Sequence, residues 1–274
     1  MINALGIDVE EWFHICGIKS SVIEKENHIF ESRVIENTTQ LLEVLKEYNV
    51  RATFFILGII AQNFPDLVRK ISEYGHEVAS HSFNHFLVYR QTRDEFERDL
   101  KNSIEILSAI TSKKILGFRA PDFSIVKESL WALDVLRNAG IKYDCSIFPV
   151  THPRYGIPKA KTNIYEIRNG LIEFPPSTIR ILGKNFPVAG GAYFRILPYS
   201  FIKLAIKKLN SNNLPANIYL HPWEIDYKQP RLKIPFVRSF THYVGLKKAL
   251  SKFKRLLSDF RFAPISEVLA IERD

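Results

Sequence analysis

Cysteine, methionine and long apolar runs are all scarce in this 274-residue chain. The two cysteines, Cys16 and Cys145, stand in no metal-type spacing, which argues against thiolate zinc sites and a disulfide framework and suits a reducing compartment. Both read as small core residues. No stretch is long and apolar enough for a transmembrane helix, and residues 2–30 lack the basic flank, apolar core and small-residue cleavage site of a signal peptide. A cytoplasmic protein is the expectation. Repeats of fixed period and low-complexity segments are missing as well. Acid is in deficit, with 38 Lys+Arg against 29 Asp+Glu and a net charge of +9, a balance that attracts anions. No nucleic-acid-binding motif accompanies it, so a nucleic-acid partner is not expected. The basic residues concentrate only in "GLKKALSKFKRLLSDF", residues 245–260. There Leu246, Ala249, Leu250, Phe253, Leu256, Leu257 and Phe260 recur at helical spacing, leaving Lys247, Lys248, Lys252, Lys254 and Arg255 mostly on the other face. A packed helix with a solvated basic face follows, and weak attachment to an anionic membrane surface is its alternative.

What is present in quantity is apolar residue content, 46% of the chain, enough to bury a large core. Strand-like runs alternate with amphipathic helical ones: "MINALGID", then "NTTQLLEVLKEYN"; "RATFFIL", then "PDLVRKISEYG" with its starting Pro65 and closing Gly75; "HEVAS", then "RDEFERDLKNSIEILSAI" behind a capping box of Thr92 and Glu95. The spacing predicts an α/β fold with a parallel sheet or barrel, organised as one domain over residues 1–274. Residues 149–164, rich in proline and glycine, read as a long loop.

In such folds chemistry gathers where strands end. The stretch "LGIDVEEWFH" ends a strand with three carboxylates. If the strand stays extended, Asp8 and Glu10 share one side while Val9 and Glu11 face away; a bulge at Val9 would exchange Glu10 and Glu11. "ASHSFNH" follows the third strand and holds His81 and His85 four apart, so one helical turn would bring the imidazoles together. Two histidines, a carboxylate and an open position for water make up a catalytic divalent-metal site, usually zinc. Arg119 in "GFRAPDF" and His221 in "YLHPWE" end further strands. His76 reads as a hydrogen-bonded structural histidine, and His14, His28, His152 and His242 show no partner pattern. Trp12 and Phe13 fit either core packing or a sugar-stacking platform.

Seven stretches, "IDVEEWFH", "ATFFILG", "GHEVASHSFNH", "GFRAPDFSI", "YDCSIFP", "GGAYFRILPY" and "HPWEID", run in that order from Ile7 to Asp226. In them the chain resembles the polysaccharide deacetylases, the NodB-homology superfamily of carbohydrate esterases, and within it the bacterial branch found with exopolysaccharide and exosortase gene clusters. The resemblance implies a distorted barrel of the (β/α)7 type with about seven strands, and metal-dependent removal of N-acetyl groups from a hexosamine-containing glycan. Zinc is the expected ion, with cobalt or nickel as substitutes. The family's motifs fall on Asp8 and the carboxylates after it, on His81 and His85, on Arg119 and Pro121, and on Leu220 and His221. Asp8 then takes the role of general base, Arg119 of its partner, Glu10 with His81 and His85 of metal ligands, and His221 of general acid. The chain departs from the family pattern where Val9 stands between Asp8 and the next acid, and the usual Asp–Trp motif that tunes the acid histidine is missing. Asp144, Glu224 and Asp226 are candidates for that task. For sugar contacts the sequence offers Trp223, Tyr193 and Arg195 of "GGAYFR", Pro121 and Trp12; "GGAYFR" could equally be a tight turn before a helix. Two other readings share the fold: an amidohydrolase of a small cyclic amide or ureide, and a non-catalytic glycan-binding protein.

Overall fold

Alternation along the first strand decides what the sheet encloses. In β1 (Ile2–Val9), Leu5, Ile7 and Val9 point outward into the main apolar core, whereas Ala4 points inward to meet Phe55 and Ala79. The computed structural model describes residues 1–14, 31–232 and 234–272, so Cys16 and His28 lie outside the described residues.

Helix α1 (Val34–Glu47) leads to β2 (Thr53–Ile56), and α2 (Gly58–Asn63) with α3 (Pro65–Glu73) leads to β3 (Glu77–Ser80). The long α4 (Arg93–Thr111) begins at the expected capping box: the Glu95 amide donates to the Thr92 hydroxyl, and the Thr92 amide donates back to the Glu95 carboxylate. Next come β4 (Gly117–Phe118), α5 (Ala132–Asn138), β5 (Tyr143–Asp144), the irregular loop the sequence predicted, β6 (Tyr165–Arg168) and β7 (Leu171–Glu173). A separate hairpin of β8 (Thr178–Ile181) and β9 (Lys184–Pro187) precedes α6 (Gly191–Ile196), α7 (Tyr199–Ser211) and β10 (Asn217–Leu220). Helices α8 (Phe236–Tyr243) and α9 (Leu246–Asp259), strand β11 (Arg261–Ala263) and α10 (Ile265–Val268) complete the described chain.

The main sheet runs β10-β1-β2-β3-β4-β5-β7-β6, with β11 also on β1. Its pairs are parallel except β6 with β7. Its two ends curl together: the Asn217 side-chain amide in β10 donates to the carbonyl of Phe174, just past β7, at 2.7 Å. This is the expected α/β barrel in distorted form: seven parallel strands run from β10 to β7, and β6 adds to the end antiparallel. Helix α9 buries Leu246, Ala249, Phe253, Leu256 and Leu257 as its spacing predicted. Lys252 departs from the solvated basic face. Its ammonium donates to the carbonyls of Phe194, Arg195 and Leu197, closing the end of α6, where carbonyls otherwise lack donors. Among the described residues no helix is long and apolar enough to cross a membrane.

Candidate functional site

The C-terminal ends of the strands converge on one pocket of about 170 Å³. The register of β1 against β2 is unbroken through Val9, paired with Ile56, so the strand keeps its alternation to its last residue. Asp8 therefore turns inward. Its Oδ1 accepts from Arg119 Nη1 at 2.6 Å, and both side chains are buried. Arg119 also lies over the Phe55 ring, with 4.2 Å from Cζ to the centroid. Gly6 makes room for it, because a Cβ there would stand 2.8 Å from Arg119 Nη1.

Past the strand, Glu10 turns to the pocket and Glu11 turns away. The Glu11 carboxylate accepts from the Ser32 hydroxyl and from the Arg33 amide at 3.1 Å. Glu10 Oε2 stands 2.6 Å from His85 Nε2 and 4.0 Å from His81 Nε2. Ligand-type atoms of these three residues lie within 4.8 Å of one another, the one such group among the described residues. His81 Nδ1 is 2.7 Å from the Arg119 carbonyl. A carbonyl can only accept, so Nδ1 carries the proton and Nε2 keeps its lone pair for the pocket. Glu10 Oε2 is buried and has no aligned hydrogen-bond donor among the described residues. A buried oxygen left that way is costly, and a divalent cation between it and the two imidazoles would satisfy it. The donor set thus fits a metal of the zinc class. Burial would raise the Glu10 pKa, but the neighbouring imidazoles, His85 and His221 foremost, outweigh it and hold the carboxyl well below the usual range. Burial lowers His81 to about 4, so its imidazole is neutral as ligation requires.

Across the pocket, His221 follows β10. Its Nδ1 stands 2.6 Å from Glu224 Oε1, and its Nε2 faces Glu10 Oε1 at 3.6 Å and Asp8 Oδ2 at 3.8 Å. Burial disfavours its charge, but the carboxylates of Glu10, Glu224 and Asp8 push its pKa up to about 9. Of the three candidate tuning acids, Glu224 alone touches this ring; Asp144 accepts from Ser146 inside the barrel, and Asp226 pairs with Arg33. Glu224 is itself held by Arg195, with Nε to Oε2 at 2.6 Å.

Of the expected sugar contacts, Tyr193, Arg195 and Trp223 line the pocket and Trp12 and Pro121 do not. Arg195 is buried and already donates to Glu224 and to the carbonyls of Thr241, His242 and Val244, so its fork is engaged within the protein. Trp12 is 1% exposed in an apolar cluster with Trp223, Leu232, Tyr243 and Leu246, and is a core residue. Trp223 is also buried: its ring stacks on His242 at 4.3 Å between centroids, and its indole N–H donates to Glu10 Oε1 at 3.1 Å. A buried indole needs such an acceptor, and here the bond aims the Glu10 carboxylate. Tyr193 lines the pocket together with Arg195 and Trp223, while Pro121 is buried at the start of a short turn, Pro121–Phe123. The glycines of "GGAYFR" serve close packing: a Cβ at Gly190 would stand 2.1 Å from the Tyr219 carbonyl oxygen.

Two pocket histidines, His14 and His242, lacked any sequence pattern. His14 stacks on His85, 5.5 Å between centroids and 16° between planes, and its Nδ1 accepts from the Glu11 amide at 3.2 Å. Burial and the charge of His85 lower its pKa to about 3, so Nε2 carries the single proton of a neutral ring. Its place four residues after Glu10 was the available signal. His76 is structural as expected, accepting from the Ala52 amide.

A polysaccharide deacetylase family model matches residues 29–143, and a domain of unknown function (DUF3473) matches residues 145–270. The pocket joins all parts: Asp8 and Glu10 precede the first match, His81, His85 and Arg119 lie within it, and His221 lies in the second. The chain is 33% identical over 101 residues to a peptidoglycan-N-acetylglucosamine deacetylase of Bacillus cereus, covering 36% of this chain and 37% of that one. It is 29% identical over 152 residues to the Helicobacter pylori peptidoglycan deacetylase, covering 54% and 50%, and 36% identical over 109 residues to a chitooligosaccharide deacetylase of Rhizobium leguminosarum bv. trifolii, covering 38% and 47%. The chain matches half or less of the length of these curated relatives. Among solved structures, Puue allantoinase superposes with a TM-score of 0.63 at 13% identity, covering 98% of this chain and 88% of that one. The Bc1960 peptidoglycan N-acetylglucosamine deacetylase gives 0.51 at 19%, covering 96% and 86%. Both likenesses are of fold.

Proposed function

Since the chain belongs to the polysaccharide deacetylase superfamily, we propose that it hydrolyses the N-acetyl group of hexosamine residues in a glycan, with a divalent cation held by Glu10, His81 and His85. The observation that carries this reading is the placement of a buried carboxylate, Asp8, and an imidazole, His221, on the same pocket as that ligand group. An amide has a poor leaving group, so its hydrolysis needs an activated water, a stabilised oxyanion and a proton for the departing amine. A cation held by Glu10, His81 and His85 would supply water activation and polarisation of the acetyl carbonyl. Asp8 takes the water's proton. Arg119 holds Asp8 aimed, its Nη1 donating to Asp8 Oδ1 at 2.6 Å. His221 Nε2 delivers the proton to the leaving nitrogen, while Nδ1 remains anchored on Glu224. Trp223 fixes Glu10, and Tyr193 and the Nε2–H of His14 offer contacts to the sugar. The experiment is acetate release from N-acetylglucosamine oligomers by chelated protein to which zinc, cobalt or nickel is restored. Release without metal, or none with any metal, overturns the reading. Allantoin in the same assay tests the small-ureide alternative.

The two glutamates separate cleanly. Glu10→Gln is expected to weaken zinc binding by at least about tenfold, as for loss of one of three ligands, while Glu11→Gln leaves it within about twofold. Calorimetric zinc titration of the two variants decides it. Zinc loss in the Glu11 variant alone would reassign the ligand.

The pH profile isolates Glu224. His221 works as an acid only while protonated, so activity is present below its pKa and falls as pH rises through about 9. In Glu224→Gln the carboxylate that raises this pKa is gone, and the alkaline limb of kcat/KM is expected to move to lower pH. An unmoved limb in a folded, metal-loaded variant would show that Glu224 does not tune the acid.

A further inference from the structure

We propose that the groove beside the catalytic pocket is a subsite for an acidic glycan, so that the polymer carries uronate or comparable anionic groups next to the acetylated hexosamine. This rests on the deacetylase reading and narrows its substrate class. The groove, about 1260 Å³, lies between the β8–β9 hairpin and the irregular 149–163 loop. Tyr193 lines both the groove and the pocket, so one chain of sugars could occupy the two together. Four cations line it, Lys159, Lys161, Arg180 and Lys184, and no aspartate or glutamate does.

Among the described residues none of these four makes an ion pair. Elsewhere on the surface cations do find acids: Arg154 with Asp122, Lys203 with Asp259, Lys254 with Glu47. A groove walled by unpaired like charges is self-repelling, and an anion lying between them relieves the repulsion. The walls are also tied to each other, since the Asn185 side-chain amide in β9 donates to the Pro149 carbonyl at 2.9 Å. The groove therefore exists before ligand arrives, which lowers the cost of binding. Thr178 lines it with a buried hydroxyl that has no hydrogen-bond partner among the described residues. Single-stranded nucleic acid fits poorly, because such binders present open aromatic faces, and the Phe186 ring here packs against Phe201.

The test is fluorescence anisotropy with a labelled hyaluronan octasaccharide, which alternates glucuronate with N-acetylglucosamine, against a labelled chitin oligomer of equal length and a labelled oligothymidylate. At ~50 mM salt the hyaluronan probe is expected to bind about tenfold tighter than the chitin probe, the order of a few exposed charge contacts. Most of that preference should vanish near ~300 mM. The quadruple variant Lys159→Ser/Lys161→Ser/Arg180→Ser/Lys184→Ser should bring the ratio to about one, within the twofold to threefold spread usual for such effects. Should that variant not fold, Lys159→Gln/Lys161→Gln should reduce the preference. Equal affinity for the two glycans, a preference that survives the substitutions, or tighter binding of the oligothymidylate overturns the proposal. Acetate release from the chitin oligomer reports separately on the catalytic reading, so a chain that deacetylates chitin without preferring hyaluronan loses only the groove, and the converse loses only the chemistry.

Discussion

Asparagine at position 8 is expected to keep zinc bound and to lower kcat by roughly 10²–10⁴, the contribution of a positioned general base. The change is nearly isosteric, and an amide oxygen can still accept from Arg119 Nη1, which now donates to Asp8 Oδ1 at 2.6 Å. What the amide cannot do is receive a proton from water. The substitution has a second consequence, because Arg119 is wholly buried and Asp8 is its counter-charge. Removing one member of a buried pair destabilises by about 3–5 kcal/mol. Turnover is therefore to be compared per folded, metal-loaded molecule, at a temperature well below the lowered melting point. A variant with the melting loss and a kcat within about tenfold of the native chain would keep Asp8 as a structural partner of Arg119 and remove it as the base.

How far the sequence reveals this site depends on whether local geometry or distant packing sets each side chain. Asp8 and Glu10 were legible because the parity of an extended strand fixes their direction, and the unbroken register through Val9 keeps that parity. The capping box and the buried stripe of α9 were legible for the same reason, being properties of contiguous turns. His81 and His85 sit together as their spacing suggests, although the backbone between them is no regular helix: Ser82 and His85 both have positive φ, at 70° and 60°. Their pairing is thus set by the loop's own turns. What parity and period cannot show is which distant element supplies the second partner of a polar group. The Trp223 indole reaches Glu10 across 213 positions, and Lys252 reaches the end of α6 across more than fifty. "GGAYFR" was readable as glycine-rich and aromatic, but only the arrival of α8 and its carbonyls beside Arg195 turns that arginine inward. His14 lies beyond the strand, where parity no longer applies and only its place four residues after Glu10 marks it.

Arg195 carries an expected effect on stability as large as that at Asp8. Methionine at this position matches its length without its charge, and it leaves Glu224, fully buried, with no cation against it except the His221 imidazolium. The carbonyls of Thr241, His242 and Val244 lose their donor in the same step. Breaking one side of a buried pair costs about 3–5 kcal/mol, measured here as the change in unfolding free energy from urea titration. Glu224 is now held below the usual carboxylate range despite its burial, first by Arg195 and then by His221. Without Arg195 burial prevails, the carboxyl takes up a proton more readily, and its support for the charged His221 weakens. The double variant Arg195→Met/Glu224→Gln should recover part of the lost stability, since no buried charge is then left alone, yet it should keep the alkaline limb displaced to lower pH, as in Glu224→Gln. If the double variant is no more stable than Arg195→Met, the loss belongs to the three carbonyls that fasten α8 and not to the ion pair. If Arg195→Met stays within about 1 kcal/mol of the native chain, a magnitude typical of an exposed pair, the arginine does not hold Glu224 in place at all.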